Sequence, residues 1–316
     1  MKTIQLTQYG KVEIGVQGQE VAMPVAAADE IVIKVAGSSI NPVDWKVANG
    51  VLKEVLPITL PVTLGWDVAG EVVEVGKDVT QFTRGDRVYG MPEIGKHGAF
   101  AEYVAVRAAD MAPAPSSIPL SQAAAYPLAA QTAWQALFNA GQLNAGQRVL
   151  IHAGAGGVGH LAIQFAKAKG AYVITTTSAK NVDFVKQLGA DEVIDYQSQD
   201  FAQALEASSV DLVFDTLGGE VQQASVEVIK PQGRLVTIVG IDPKAETLAK
   251  TKQVNPEFLF VQSAPADLAT IASLIDSGTV EVTIAQTFPL ADVPQALALS
   301  EAGRVRGKLV IEVNAA

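Results

Sequence analysis

A short apolar run, Val149-Leu150-Ile151, leads directly into His152-Ala153-Gly154-Ala155-Gly156-Gly157-Val158-Gly159, and a helix-like stretch follows over 160–167. This order constrains the fold more than anything else in the chain. The spacing Gly154-x-Gly156-x-x-Gly159 turns a buried strand sharply into a helix, leaving backbone N–H groups and a helix N-terminus free to face a pyrophosphate. A second β-rich run begins near Ala171, as a dinucleotide-binding βαβ unit requires.

From 149 onward, strand-like runs (149–151, 172–176, 192–194, 212–215, 235–239) alternate with helix-like ones (161–169, 182–188, 201–207, 221–229). Such alternation predicts a parallel sheet covered on both faces. Before it, 121–139 is alanine-rich and reads as one helix. The first hundred residues instead carry short β-like runs at 30–35, 68–75, 86–89 and 101–106, punctuated by glycines, which predicts an irregular, mostly antiparallel barrel-like domain. After about 265 a helix is followed by strand-like runs at 280–284 and 309–313, suggesting a return to that first domain. The expected division is 1–122, 123–264 and 265–316.

Composition excludes several classes. With 23 basic against 33 acidic residues the net charge is −10, which opposes a nucleic-acid interface. There is no cysteine and only three histidines, His97, His152 and His160, so thiolate zinc sites are excluded and no metal site is expected. No run of about 18 apolar residues and no signal-like N-terminal segment occurs, so a cytoplasmic protein without a membrane partner is expected.

An NAD-preferring loop usually carries an acid about 20 residues beyond its glycines, on the adenosine ribose. Here the corresponding strand ends in Thr175-Thr176-Thr177-Ser178-Ala179-Lys180. Hydroxyls and a cation in that place favour NADPH over NADH, because they can bind a 2′-phosphate that an acid would repel. Ser178 also reads as a helix cap, and the two roles are compatible.

The runs Asn41-Pro42-Val43-Asp44-Trp45-Lys46, Gly65-Trp66-Asp67-Val68-Ala69-Gly70 and Gly98-Ala99-Phe100-Ala101-Glu102-Tyr103, with the glycine loop, resemble the medium-chain dehydrogenase/reductase superfamily. The resemblance covers essentially the whole chain and is nearest to the zinc-free, NADPH-dependent quinone oxidoreductases and alkenal/enone reductases. It implies an α/β fold with a GroES-like β-rich catalytic domain and a doubly wound Rossmann domain. Where zinc alcohol dehydrogenases carry Gly-His-Glu, this chain has Gly65-Trp66-Asp67.

The same resemblance implies the site residues. Gly156, Gly157 and Val158 fall on the pyrophosphate, and Thr177, Ser178, Lys180 and Tyr196 around the 2′-phosphate. Leu217, Val239 and Gly240 fall near the nicotinamide and its ribose, Thr132 beside the nicotinamide, and Arg306, Gly307 and Lys308 in a segment closing over the cofactor. Lys46 faces the nicotinamide as the candidate catalytic ammonium, and Asn41 orients substrate or cofactor amide. Trp45 and Trp66 are candidates to wall a substrate pocket. Each has a plainer reading: Tyr196 as strand-end packing, Lys46 as a solvated lysine, the tryptophans as core, Thr132 as an ordinary helical residue, and 306–308 as a basic turn.

The implied reaction is hydride transfer to a small electrophile, a quinone or an enone, with charge developing on its carbonyl oxygen. No tyrosine lies between Asn41 and Thr63, which counts against an enoyl-thioester substrate. A homodimer through a sheet edge near 258–262 is a further expectation of the resemblance. The alternative from another class is a non-catalytic NADPH-binding redox sensor or structural protein.

Overall fold

The computed structural model describes residues 1–313; the last three residues of the expected return segment lie outside the described residues. Two compact units are formed, one from Met1–Gln131 together with the chain from Ser263 onward, the other from Thr132–Gln262.

The first unit contains β1 (Lys2–Leu6), α1 (Val12–Gly15), β2 (Val16–Glu20), β3 (Glu30–Ser39), α2 (Pro42–Ala48), β4 (Val62–Thr63), β5 (Val68–Val75), β6 (Arg87–Gly90), β7 (Tyr103–Arg107), β8 (Met111–Pro113), α3 (Leu120–Ala123) and the start of α4 (Pro127–Trp134). The second contains β9 (Arg148–Ile151), α5 (Gly159–Ala168), β10 (Tyr172–Thr177), α6 (Val182–Gln187), β11 (Glu192–Asp195), α7 (Phe201–Ala204), β12 (Val210–Asp215), α8 (Gly219–Val228), β13 (Ile229–Thr237), α9 (Pro243–Lys252) and β14 (Asn255–Phe258). The chain then returns to the first unit with α10 (Pro265–Asp276), β15 (Ile284–Pro289), α11 (Val293–Glu301) and β16 (Lys308–Glu312).

In the first unit a seven-stranded sheet runs β15-β16-β3-β5-β6-β8, with β7 also on β3, and a small sheet runs β2-β1-β4. Ile31, Ile33 and Val35 of β3 alternate inward and meet Val68, Val72, Val88, Val104 and Val106 in one core. The antiparallel pairing of β16 with β3 sets Val310 opposite Ser39, so the two ends of the sequence meet beside α2.

The second unit is an all-parallel sheet of order β11-β10-β9-β12-β13-β14. Its order reverses at β9, where the glycine loop emerges, and ligands of open α/β sheets bind at such a reversal. The alternation read from the sequence is thus a doubly wound parallel sheet, and the first unit supplies the β-rich half.

Two local expectations differ. The alanine-rich stretch is not one helix: α3 stops at Ala123 and α4 restarts at Pro127, continuing as a π-helical turn over Gln135–Ala140. A proline lacks the N–H for a continuous ladder and restricts the residue before it. The boundary between the two compact units falls inside α4, after Gln131. The apolar alternation at 280–284 also does not pair as drawn, since the N–H of Val282 is donated to Tyr126 Oη at 2.9 Å and the strand begins only at Ile284.

Candidate active site

The glycine loop is built by close approach. A Cβ on Gly154 would lie 2.0 Å from Thr175 Oγ1, and one on Gly159 would lie 2.4 Å from the carbonyl oxygen of Ala153, so neither position accepts a larger residue. Ala153 itself is held at φ +52°, in the left-handed region. Val158 caps α5 without any side-chain hydrogen bond to the first turn, and Gly156, Gly157 and Val158 are partly exposed. The N–H of His160 is donated to the carbonyl of Gly156 at 3.1 Å, and no side chain caps the rest of the first turn, an arrangement that fits a dinucleotide pyrophosphate.

A buried relay supports the loop. Ser225 Oγ donates to the carbonyl of Val221 at 2.7 Å, so its lone pairs must accept from His152 Nε2 at 2.8 Å. His152 is therefore the Nε2–H tautomer, and its Nδ1 accepts from Thr176 Oγ1 at 3.1 Å. Thr176 Oγ1 in turn accepts from the N–H of Ala153 at 3.3 Å. Burial pushes the His152 pKa down to about 4, with Asp215 opposing, so the ring is neutral near pH 7.

Thr177 and Ser178 are buried at the carboxyl end of β10, while Lys180 is exposed. Ser178 Oγ accepts from the Asn181 side chain at 3.2 Å and makes no capping hydrogen bond to a backbone N–H of the following turn. Tyr196 donates its backbone N–H to Thr177 at 3.1 Å and is 62% exposed, so it does not serve as strand-end packing. The four residues thus share one sheet edge. Asp195, opposite Thr177 in register and next to Tyr196, is an acid at the same edge; its Oδ1 accepts from the N–H of Gln197 at 3.1 Å and its Oδ2 from Ser198 Oγ at 3.0 Å.

At the ends of β12 and β13, Asp215 is fully buried and accepts through Oδ1 from the N–H groups of Leu217 (2.9 Å) and Gly218 (3.0 Å). Its Oδ2 accepts from Gln222 Nε2 (2.8 Å) and Thr237 Oγ1 (2.9 Å), and Gln222 also donates to the carbonyl of Gly240 (2.9 Å). This hub ties both loops together and leaves Leu217 and Val239 exposed above them. Thr132 is buried at the start of the unit.

In the first unit α2 presents the other candidates. Pro42 occupies the first turn, where a missing N–H costs nothing, and Asn41 and Asp44 form a capping box in which Asn41 N–H donates to Asp44 Oδ2 at 2.7 Å. Lys46 is half-buried, with its ammonium 5.7 Å from the centroid of Trp45. Burial lowers its pKa, and no acidic side chain pairs with it among the described residues. Trp45 is half-buried, its Nε1 without a partner.

Two assignments change, and a third residue lies deeper than the sequence suggests. Trp66 is fully buried and donates Nε1 to the carbonyl of Lys96 at 3.2 Å, so it is core and not a pocket wall. Lys308 is not part of a solvated basic turn: it is 3% exposed and donates to the carbonyl of Ile40 (3.0 Å) and to Asn41 Oδ1 (2.6 Å), with Asp67 Oδ2 at 3.6 Å. Arg306 is exposed and has partners of its own, while Gly307 is buried at φ +76° with no room for a Cβ beside Thr283. Third, Asn41 is itself 2% exposed and enclosed by polar groups, which the sequence did not suggest.

The surrounding cluster was missed from sequence. Asp67 accepts from Ser39 Oγ, from Asn41 Nδ2 at 2.6 Å and from the N–H of Leu128 at 2.6 Å. Beside it, burial pushes Asp44 up to about 8 despite the Asn41 N–H that favours its ionised form. The signal available was an acid, Asp67, inside the otherwise apolar run 64–70. A groove of about 910 Å³ in the same unit, lined in part by Gln5, Thr63, His97 and Tyr103, includes none of the candidate residues.

Residues 27–116 match the family described as "Alcohol dehydrogenase GroES-like domain", and residues 188–311 that described as "Zinc-binding dehydrogenase". Across 98% of the chain and 79% of the relative, the sequence is 35% identical to 2-methylene-furan-3-one reductase of Solanum lycopersicum. The chain belongs to the quinone oxidoreductase and enone reductase group of the medium-chain dehydrogenase/reductase superfamily. Among solved structures of this superfamily, the quinone oxidoreductase of Coxiella burnetii superposes with a TM-score of 0.93 at 37% identity, over 99% of both chains. The quinone oxidoreductase of Escherichia coli, complexed with NADPH, superposes with a TM-score of 0.90 at 27% identity, over 99% of this chain and 100% of that one.

The zinc of the second family description does not fit these residues. The chain has no thiolate, both oxygens of Asp67 are occupied by donors, and no group of three His, Asp or Glu side chains among the described residues is placed to hold a metal. A nicotinamide dinucleotide does fit, because the tight packing of Gly154 and Gly159 against Thr175 and Ala153 draws the loop into a sharp turn before a helix whose N-terminus has no side-chain cap.

Proposed function

We propose that the protein is an NADPH-dependent reductase of quinones or α,β-unsaturated carbonyls that needs no metal. The observation that carries this reading is Lys46: a half-buried ammonium without an acidic partner, two residues from the buried Asp44 and on the helix that Asn41 caps.

The glycine loop 154–159 and the N-terminus of α5 would hold the pyrophosphate, and Ser178, Lys180 and Tyr196 the 2′-phosphate, with the Asp195 carboxylate beside them engaged by Gln197 and Ser198. Bound NADPH supplies a hydride, two electrons with one hydrogen. Addition of that hydride to the β-carbon of an enone shifts the π electrons onto the carbonyl oxygen, giving an enolate that one proton converts to the saturated ketone; addition to a quinone followed by one proton gives the hydroquinone. Lys46 stabilises the negative oxygen, and burial, which lowers its pKa, favours release of its proton to the product. Asn41 donates a hydrogen bond to the same carbonyl. Trp45 offers an apolar wall.

The test is NADPH oxidation with a panel of quinones, short enals and cyclic enones, with product analysis separating C=C from C=O reduction. The parent protein is expected to turn over at least one class, and Lys46→Ala to lower kcat about 100-fold or more while changing NADPH affinity little. Binding of NADPH without turnover across the panel would return the protein to the non-catalytic reading. We further propose a cytoplasmic homodimer joined at the β14 edge, where Phe258 and Phe260 are each 48% exposed; a monomeric mass in solution would remove it.

A further inference from the structure

Asn41 and Lys308 lie 267 residues apart in sequence, yet their side chains meet at 2.6 Å in a buried cluster. The contact is one half of a clamp. On one side the Lys308 ammonium can only donate, so it requires the amide oxygen, Oδ1. On the other the Asp67 carboxylate accepts, and it takes one hydrogen of Nδ2 at 2.6 Å. An Asn amide normally turns over at small cost; here a flip would set its NH2 against the ammonium and its oxygen against the carboxylate.

Every surrounding group reinforces one orientation. Lys308 is anchored by the carbonyl of Ile40 at 3.0 Å, and Asp67 by the N–H of Leu128 at 2.6 Å and the hydroxyl of Ser39. The backbone N–H of Asn41 is fixed by Asp44. With Oδ1 occupied by a cation, Asn41 is a poor acceptor toward any further ligand. Its second Nδ2 hydrogen is the capacity that remains, and its polarity is raised by the cation bound at the other end of the amide.

We propose that Lys308 and Asp67 are positioning residues that lock the Asn41 amide as a one-way hydrogen-bond donor to the substrate carbonyl oxygen. They act through Asn41 and do not touch the substrate. The inference rests on the reductase reading above, within which it gives Asn41 a defined polarity and assigns the buried pair a use. It also accounts for the retention of three ionisable side chains, Asp44, Asp67 and Lys308, in a place where apolar residues would cost less to bury.

A double-mutant cycle tests it. With the full-length protein and the best substrate of the panel, Lys308→Met is expected to lower kcat about tenfold or more with NADPH affinity changed less than about twofold. In an Asn41→Ala background the same substitution is expected to cost nothing further in kcat, because the group it positions is gone. Multiplicative losses in the cycle, or an unchanged kcat in Lys308→Met, would overturn the proposal.

If Lys308→Met fails to fold with Asp67 left unpaired, the neutral pair Lys308→Met with Asp67→Asn takes its place, with the same two expectations. Should the parent reduce no substrate at all, the functional reading fails, and the lock is then judged by the Asn41 side-chain NH2 signals in NMR. Two distinct, slowly exchanging protons that collapse toward solvent-like exchange in the neutral pair support it; identical signals in both proteins overturn it.

Discussion

The two units hold their candidate groups by opposite means. In the second, the cradle is backbone and neutral hydrogen bonds: an uncapped helix, a left-handed Ala153, and a relay through Thr176, neutral His152 and Ser225. In the first, α2 is steadied by buried charge, with Asp67 and Lys308 paired and Asp44 pushed up to about 8. The difference follows from what is bound. In the second unit the buried carboxylate of Asp215 engages both oxygens with nearby N–H and O–H donors, which spreads its charge away from the helix N-terminus. Orienting one amide needs strong, directional partners, and buried ions supply them.

The comparison breaks first at the glycines. Gly159→Val puts a branched side chain where a single Cβ already meets the Ala153 carbonyl at 2.4 Å, and it is expected to weaken NADPH binding at least about 100-fold, the equivalent of ~3 kcal/mol of strain. Circular dichroism and calorimetric titration check it together; full affinity in a folded variant would show that close approach is not what the loop is for. A smaller effect is expected at the sheet edge. Lys180→Ala should raise KM for NADPH about tenfold and leave NADH use unchanged, since only the 2′-phosphate is lost as a partner. Equal use of both cofactors by the parent protein would refute that assignment.

The two units should also respond to pH with opposite signs. Asp44 has a folded pKa of about 8 against 3.8 for a free side chain. Its contribution to stability is full below about pH 4 and is lost as pH rises through 8. His152 is depressed from 6.5 to about 4, so its contribution is present above 6.5 and lost as pH falls through 4. Asp44→Asn is therefore expected to flatten the fall in Tm between about pH 4 and 8, and His152→Gln the fall between pH 6.5 and 4. Differential scanning calorimetry reads both; a fall toward pH 8 that survives Asp44→Asn places its origin elsewhere.

Legibility from sequence followed the range of the interactions. The βαβ pattern, the glycine loop and the polar end of β10 were readable because strand, turn and helix signals act within a few residues. Tyr196 was placed beside Thr177 only by analogy until the parallel register of β10 and β11 joined them. Trp66 and Lys308 were misjudged for a common reason: residue type suggests exposure or a pocket, whereas burial is decided by which strands arrive alongside.

By itself the sequence determined the class of fold, the absence of thiolate ligands and the presence of a dinucleotide cradle, all consequences of composition and short-range spacing. Tertiary structure alone decided that Lys308 reaches Asn41. The antiparallel pairing of β16 with β3 brings the last strand against the end of an early one, and only that register puts an ammonium and a carboxylate on opposite ends of a single buried amide.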